Sequence, residues 1–137
     1  RVPGPIFVTP DLFPSKIQQI LLAFSQSPKS REAMYFASGL AQSTGGHLTV
    51  VVSGGDEQRR AVTRKEVENY YQAQGIPAEY ITSSDEPGKA IIEIANRKRT
   101  DLIIMGGYSR SYIKRLFTGS TIEKVLSVTS IPVIICK

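Results

Sequence analysis

The sequence predicts a doubly wound α/β domain, a parallel sheet with helices on both faces. Short apolar runs rich in Val, Ile and Leu alternate along the chain with longer stretches of helical period. The runs are nearly continuous, as they are in strands buried on both faces. The turns between them hold the Ser, Asp, Pro and Gly residues that start and stop helices. Right-handed crossovers favour a sheet whose ligands bind beyond the carboxyl ends of strands, where the strand order reverses.

Residues 1–17, RVPGPIFVTPDLFPSKI, read as a leader or linker, with four prolines and a glycine around the apolar piece Ile6-Phe7-Val8. Pro5-Ile6-Phe7-Val8 echoes Pro132-Val133-Ile134-Ile135, which suggests that this piece is the last strand of an upstream copy of the same domain. The domain proper spans residues 18–137 and opens with the strand Gln19–Phe24. Ser27 as N-cap and Pro28 at the first helical position start a helix whose inner face carries Ala33, Phe36, Ala37, Leu40 and Ala41. Thr44-Gly45-Gly46 ends it, and His47–Val52 is a second buried strand.

Ser53-Gly54-Gly55 makes the next turn, and Asp56 caps a long helix that runs to Gln74 and stops at Gly75. The apolar face of that helix is thin (Val62, Val67, Tyr70, Tyr71), so it belongs on the outside. Ile76–Thr82 reads as a third strand, and Pro77 and Glu79 mark it as an edge strand. Ser84, Asp85 and Pro87 start a helix with Ala90, Ile91, Ile94 and Ala95 inward. A strand ending at Met105, a loop, a short helix over about Ser120–Val128 and a last strand Pro132–Cys136 complete the chain.

The 137 residues suit one domain, and 41% hydrophobic with 21% charged residues describe a globular protein. No apolar run is long enough to span a membrane, and no secretory leader is evident. The lone Cys136 excludes an internal disulfide and suits a reducing, cytoplasmic setting. A net charge of +5 favours anionic partners. The basic residues form separate groups, Arg59-Arg60-Arg64-Lys65, Arg97-Lys98-Arg99 and Arg110-Lys114-Arg115, rather than one stripe with interleaved aromatics. Nucleic acid is therefore not the expected partner. His47, the only histidine, has no partner at ligand spacing and reads as a structural or surface residue. There is no nucleophile–histidine pair, carboxylate dyad or metal-ligand cluster, so the expectation is a binding module and not an enzyme.

One stretch carries chemistry, Asp101–Thr121, DLIIMGGYSRSYIKRLFTGST. A buried strand stops at Gly106-Gly107, where the absent Cβ permits a sharp turn and close approach of backbone amides to a ligand. A basic loop follows and closes on Gly119-Ser120-Thr121 before an amphipathic segment. This is a layout for holding an anion on backbone N–H groups. Ser120 with Glu123 also reads as a capping box, so the spacing alone leaves both roles open.

Taken together, ILLAFSQSPKS, EPGKAIIEIANRKRTDLIIMGG and FTGSTIEKVLSVTSIPVIICK resemble the universal stress protein family over about residues 18–137. The family's loop reads glycine, two residues, glycine, nine residues, then glycine with a hydroxyl residue. Here it is Gly106, two residues, Ser109, nine residues and Gly119-Ser120. The resemblance implies a Rossmann-like five-stranded parallel sheet of order 3-2-1-4-5, with ATP at the switch point and Mg²⁺ carried on the nucleotide. It also implies a homodimer joined through the last strand, Pro132–Cys136. Carried over, Gly106, Ser109, Gly119, Ser120 and Thr121 surround the phosphates, and Met105 belongs to the nucleotide-binding set. Ala23 and Ser25 lie by the ribose and adenine, and Val52 and Ser53 line the base pocket.

Two positions depart from the nucleotide-binding pattern: Ser25 stands where an aspartate is usual, and Ser109 where glycine is usual. They imply weakened ATP binding. The leading expectation is a stress-response regulatory module that binds an adenine nucleotide. The alternative is a dimerisation or interaction module of the same fold without a nucleotide.

Overall fold

The computed structural model describes residues 5–8, 16–106 and 131–136. In chain order the elements are β1 Pro5–Val8, β2 Gln19–Ala23, α1 Pro28–Thr44, β3 His47–Ser53, α2 Glu57–Ala73, β4 Glu79–Ser83, α3 Pro87–Arg97, β5 Leu102–Gly106 and β6 Val133–Cys136. The basic loop and the helix expected over Ser120–Val128 lie outside the described residues. One sheet runs β1-β6-β5-β2-β3-β4, and every pair is parallel except β1 with β6. Numbered from β2, the five parallel strands have the expected order 3-2-1-4-5.

At the centre of the sheet, β2 lies between β3 and β5, with Leu22 opposite both Val50 and Ile104. Alternate side chains of β2 enter opposite layers. Ile20 and Leu22 join Ala33, Met34 and Ala37 of α1 and Val67 and Tyr71 of α2, whereas Leu21 and Ala23 join Ala90, Ile91 and Ile94 of α3. Strands covered on both faces are the reason for continuous apolar runs in the sequence. The sheet register is pinned at its amino end by Asp101, whose Oδ2 accepts from the backbone N–H groups of Gln18 and Gln19 at 2.9 Å each. The Tyr71 hydroxyl is satisfied in the core by donating to the Met34 carbonyl at 2.7 Å. Burial, and then the Glu32 carboxylate, push the Cys136 thiol upward, so it serves as a protonated core residue.

Several boundaries differ from the sequence expectation. The third strand begins at Glu79, not Ile76, because Ile76 closes α2: its N–H donates to the Tyr71 carbonyl, with Gly75 at φ +68°. The cap of α3 is Glu86, with no side-chain capping bond, rather than Ser84 or Asp85. Val62 is 55% exposed, and Thr63 takes its place on the buried face of α2. β5 runs one residue past Met105, through Gly106, and Gly107 lies outside the described residues.

The edge expectation for Pro132–Cys136 also changes. The outer side of β6 is covered by β1, in an antiparallel register that sets Ile6 opposite Ile135, Phe7 opposite Ile134 and Val8 opposite Val133. Phe7 and Ile134 are equivalent positions of the two echoing segments, and they face each other. This is the register of two copies of one strand paired about a two-fold axis. The edges of the sheet are therefore β1 and β4.

Candidate functional site

The site lies at the carboxyl ends of β2 and β3. Leaving β2, the chain turns through Phe24-Ser25-Gln26-Ser27 into α1. Phe24 N–H still donates to the Val51 carbonyl at 2.9 Å, which holds the turn on the sheet. Three serines then fix its shape. Ser27 Oγ caps α1 by accepting from Ser30 N–H at 3.1 Å, and Ser25 N–H donates to the fully buried Ser30 Oγ at 2.7 Å. Ser25 Oγ donates to Ser27 Oγ at 3.3 Å.

Leaving β3, Gly54 and Gly55 take φ +78° and +67°, a left-handed pair that costs a side-chain-bearing residue strain. Gly54 N–H donates to the Ser83 carbonyl at 3.2 Å, so the turn is tied to the end of β4. Asp56 then caps α2, accepting from Arg59 N–H at 2.7 Å. One turn into the helix, Arg60 reaches back, and its Nη1 donates to the carbonyls of Gly54, at 3.3 Å, and Gly55.

Between these two turns is a cleft of about 610 Å³, whose walls include Ser25, Ser27, Val52, Ser53, Arg59 and Arg60. Thr63 and Pro87 also line it. No carboxylate lines it among the described residues, so two guanidiniums set its field. The arrangement offers hydroxyls on one wall, cations on another and apolar surface from Phe24 and Val52 below. It suits an anion attached to a flat apolar group. Among the described residues no three His, Cys, Asp or Glu side chains gather as a metal site, and no helix is long and apolar enough to cross a membrane.

Of the residues singled out from sequence, Ser25, Val52 and Ser53 meet in this cleft. Ala23, the last residue of β2, pairs with Met105, one residue before the end of β5, and both are buried among the α3 side chains beneath. Ser109, Gly119, Ser120 and Thr121 lie outside the described residues, as do Arg110, Lys114 and Arg115. His47 is exposed at the opposite end of the sheet, its N–H donating to the Gln18 carbonyl. Gly106 answers a packing demand: a Cβ there would lie 2.4 Å from Ser30 N and 2.5 Å from Ser30 Cα. The first turn of α1 thus rests directly on the end of β5.

The sequence reading passed over Arg59 and Arg60, which it grouped with Arg64 and Lys65 as dispersed charge. The signal was their place in the first turn after β3, which a parallel sheet aims at its ligand-binding end. One helical turn later the chemistry changes. Arg64 lies 3.5 Å from Glu68 and over the Tyr80 ring at 5.9 Å, away from the cleft lining.

The Universal stress protein family model matches residues 52–137 of the chain. Universal stress protein Slr1230 of Synechocystis is 27% identical over 135 residues, covering 97% of this chain and 47% of its own. The crystal structure of a universal stress protein from Archaeoglobus fulgidus superposes with a TM-score of 0.80 at 26% identity, over 97% of this chain and 49% of that one. A universal stress protein solved in complex with cAMP superposes with a TM-score of 0.72 at 21% identity, over 90% of this chain and 98% of that one. The chain spans about half the length of the first two.

Proposed function

The chain belongs to the universal stress protein family, and we propose that this domain is a stress-response module binding an adenine nucleotide, ATP with its Mg²⁺ included. The observation that carries the proposal is the cleft of about 610 Å³ at the carboxyl ends of β2 and β3, lined by no carboxylate among the described residues and with Ser25 and Ser53 on its walls. The cAMP held by a protein of the same fold supports the same chemistry. In this reading the base lies by Val52 and Ser53, the ribose by Ser25 and Ala23, and the phosphates toward Met105 and Gly106. Ser109, Gly119, Ser120 and Thr121 complete the phosphate end. The role is binding, with no catalytic residue assigned.

Ser25 in place of a carboxylate and Ser109 in place of glycine weaken the site. Each is worth on the order of 1–2 kcal/mol, about tenfold in affinity per 1.4 kcal/mol. Calorimetry with ATP and Mg²⁺ on the wild type should detect weak binding, and on Ser25→Asp with Ser109→Gly clearly tighter binding. If neither binds, the cleft is not a nucleotide site and the interaction-module reading replaces this one.

A specific observation keeps assembly in view. The antiparallel β1–β6 pair, with Phe7 opposite its echo Ile134, is what a copy of the last strand would make. We therefore propose that residues 1–17 carry the last strand of an upstream copy, and that 18–137 is the domain it pairs with. A homodimer through β6 is then the arrangement expected when β1 is absent.

A further inference from the structure

Arg59 and Arg60 are not needed to explain a site for a simple adenine nucleotide. Two other arginines of α1 and α2 are spent on carboxylates: Arg31 Nε meets Glu66 at 2.7 Å, and Arg64 meets Glu68 at 3.5 Å. Arg59 and Arg60 make no ion pair among the described residues. Of the two carboxylates that precede them, Glu57 forms no ion pair with either among the described residues, and Asp56 is engaged with the backbone N–H of Arg59. Arg60 is held in the wall by the Gly54 and Gly55 carbonyls through Nη1 alone, and a guanidinium has five donors. Two cations with spare donors therefore line a cleft whose opposite wall carries Ser25 and Ser27 hydroxyls.

In nucleotide sites the group beside the ribose decides what the ribose carries. A carboxylate there accepts from a ribose hydroxyl and repels a phosphate, whereas an arginine accommodates a phosphate on the same carbon. A guanidinium suits that task because its planar fork matches phosphate oxygens. In this cleft the residue at the end of β2 is the neutral Ser25, and the charged groups on the walls are both arginines.

We infer that the cleft selects an adenine nucleotide phosphorylated on its ribose, at the 2′ or 3′ position, in addition to its 5′ phosphate. This rests on the reading of the cleft as an adenine-nucleotide site. Arg59 supplies the mobile contact to the ribose phosphate. Arg60 holds the Gly54-Gly55 turn and adds its remaining donors.

The test compares isomers of equal phosphate count by calorimetry: adenosine 5′-diphosphate, adenosine 3′,5′-bisphosphate and adenosine 2′,5′-bisphosphate, with AMP as reference. One bisphosphate should bind about tenfold more tightly than the 5′-diphosphate, the size of one charge-assisted hydrogen bond. That ratio should fall close to one in Arg59→Ala, be partly kept in Arg59→Lys and shrink as salt is raised. Ser25→Asp should turn the preference toward the 5′-diphosphate. Equal binding of the isomers by the wild type, or a preference that survives Arg59→Ala together with Arg60→Ala, overturns the inference while leaving the nucleotide site intact. No heat from any of the four nucleotides removes the underlying reading and the inference with it.

Discussion

Substituting Gly106 by alanine tests whether the end of β5 and the start of α1 are built as one unit. An ideal Cβ at 106 would lie 2.4 Å from Ser30 N, 2.5 Å from Ser30 Cα and 2.6 Å from Lys29 C, all backbone atoms. Restoring ordinary contact at about 3.4 Å requires the first turn of α1 to retreat by close to 1 Å. That turn is fixed by the Ser27 cap and by the Ser25 N–H bond to Ser30 Oγ, and Ala33, Met34 and Ala37 behind it are in the core. Overpacking of this kind costs about 1–3 kcal/mol, and backbone obstacles place it at the upper end. The reduced freedom of the unfolded alanine chain offsets about 0.4–1 kcal/mol, leaving a net loss of about 2 kcal/mol, or roughly 6–10 °C in Tm. Gly39, on the exposed side of α1 with no atom within 4 Å of its Cβ position, is the control. There alanine should stabilise by about 0.5–1 kcal/mol. Urea denaturation should show the two midpoints moving in opposite directions at constant m. A Gly106→Ala midpoint equal to that of the wild type would refute the packing argument.

Other outcomes follow from the same structure. Arg99, just past the Lys98 cap of α3, sits at φ +51°, so Arg99→Gly should raise stability by about 1 kcal/mol, read by thermal melting. Burial first, then the charges of Tyr80 and Tyr70, raise Tyr71 well above its ordinary value of 10.0. The unfolded chain releases that proton first, so stability should be intact below pH 10 and fall progressively above it. Tyr71→Phe should flatten this alkaline decline above pH 10 while costing about 1 kcal/mol at neutral pH through the lost hydrogen bond to the Met34 carbonyl. Removing residues 1–9 uncovers the outer edge of β6, and light scattering should then show dimers where the full sequence remains monomeric. A truncated chain that stays monomeric at every concentration would count against the strand-mimic reading.

The strands were legible in the sequence because burial on both faces makes Leu21-Leu22 or Leu102-Ile103-Ile104 continuous apolar runs. The caps Ser27 and Asp56 were legible because their hydrogen bonds are local. What escaped depended on contacts between distant segments. Ile76 looked like a strand residue until its N–H was seen to close α2 onto Tyr71. The echo of the last strand in Ile6–Val8 was visible, but the pairing that sets Phe7 against Ile134 was not. In the cleft, Ser25, Val52 and Ser53 were found through family resemblance. The arginines were hidden by averaging, since Arg59, Arg60, Arg64 and Lys65 read as one basic cluster until a helical turn divides them.

Gly106 joins the packing of α1 to the shape of the cleft. Sequence reading valued it for a backbone open to a ligand, whereas the structure gives it a second and more rigid duty beneath Ser30. Because Ser30 Oγ receives the Ser25 N–H and Ser30 N–H donates to Ser27 Oγ, any retreat of α1 from position 106 moves the cleft wall as well. Stability and ligand affinity are therefore coupled at this end of the sheet. At the amino end they are not: Arg99 precedes β5, and easing its strain leaves Ser25, Ser53 and Arg59 where they are. The pair of variants separates the two effects. Gly106→Ala should lose nucleotide affinity together with stability, and Arg99→Gly should gain stability at unchanged affinity.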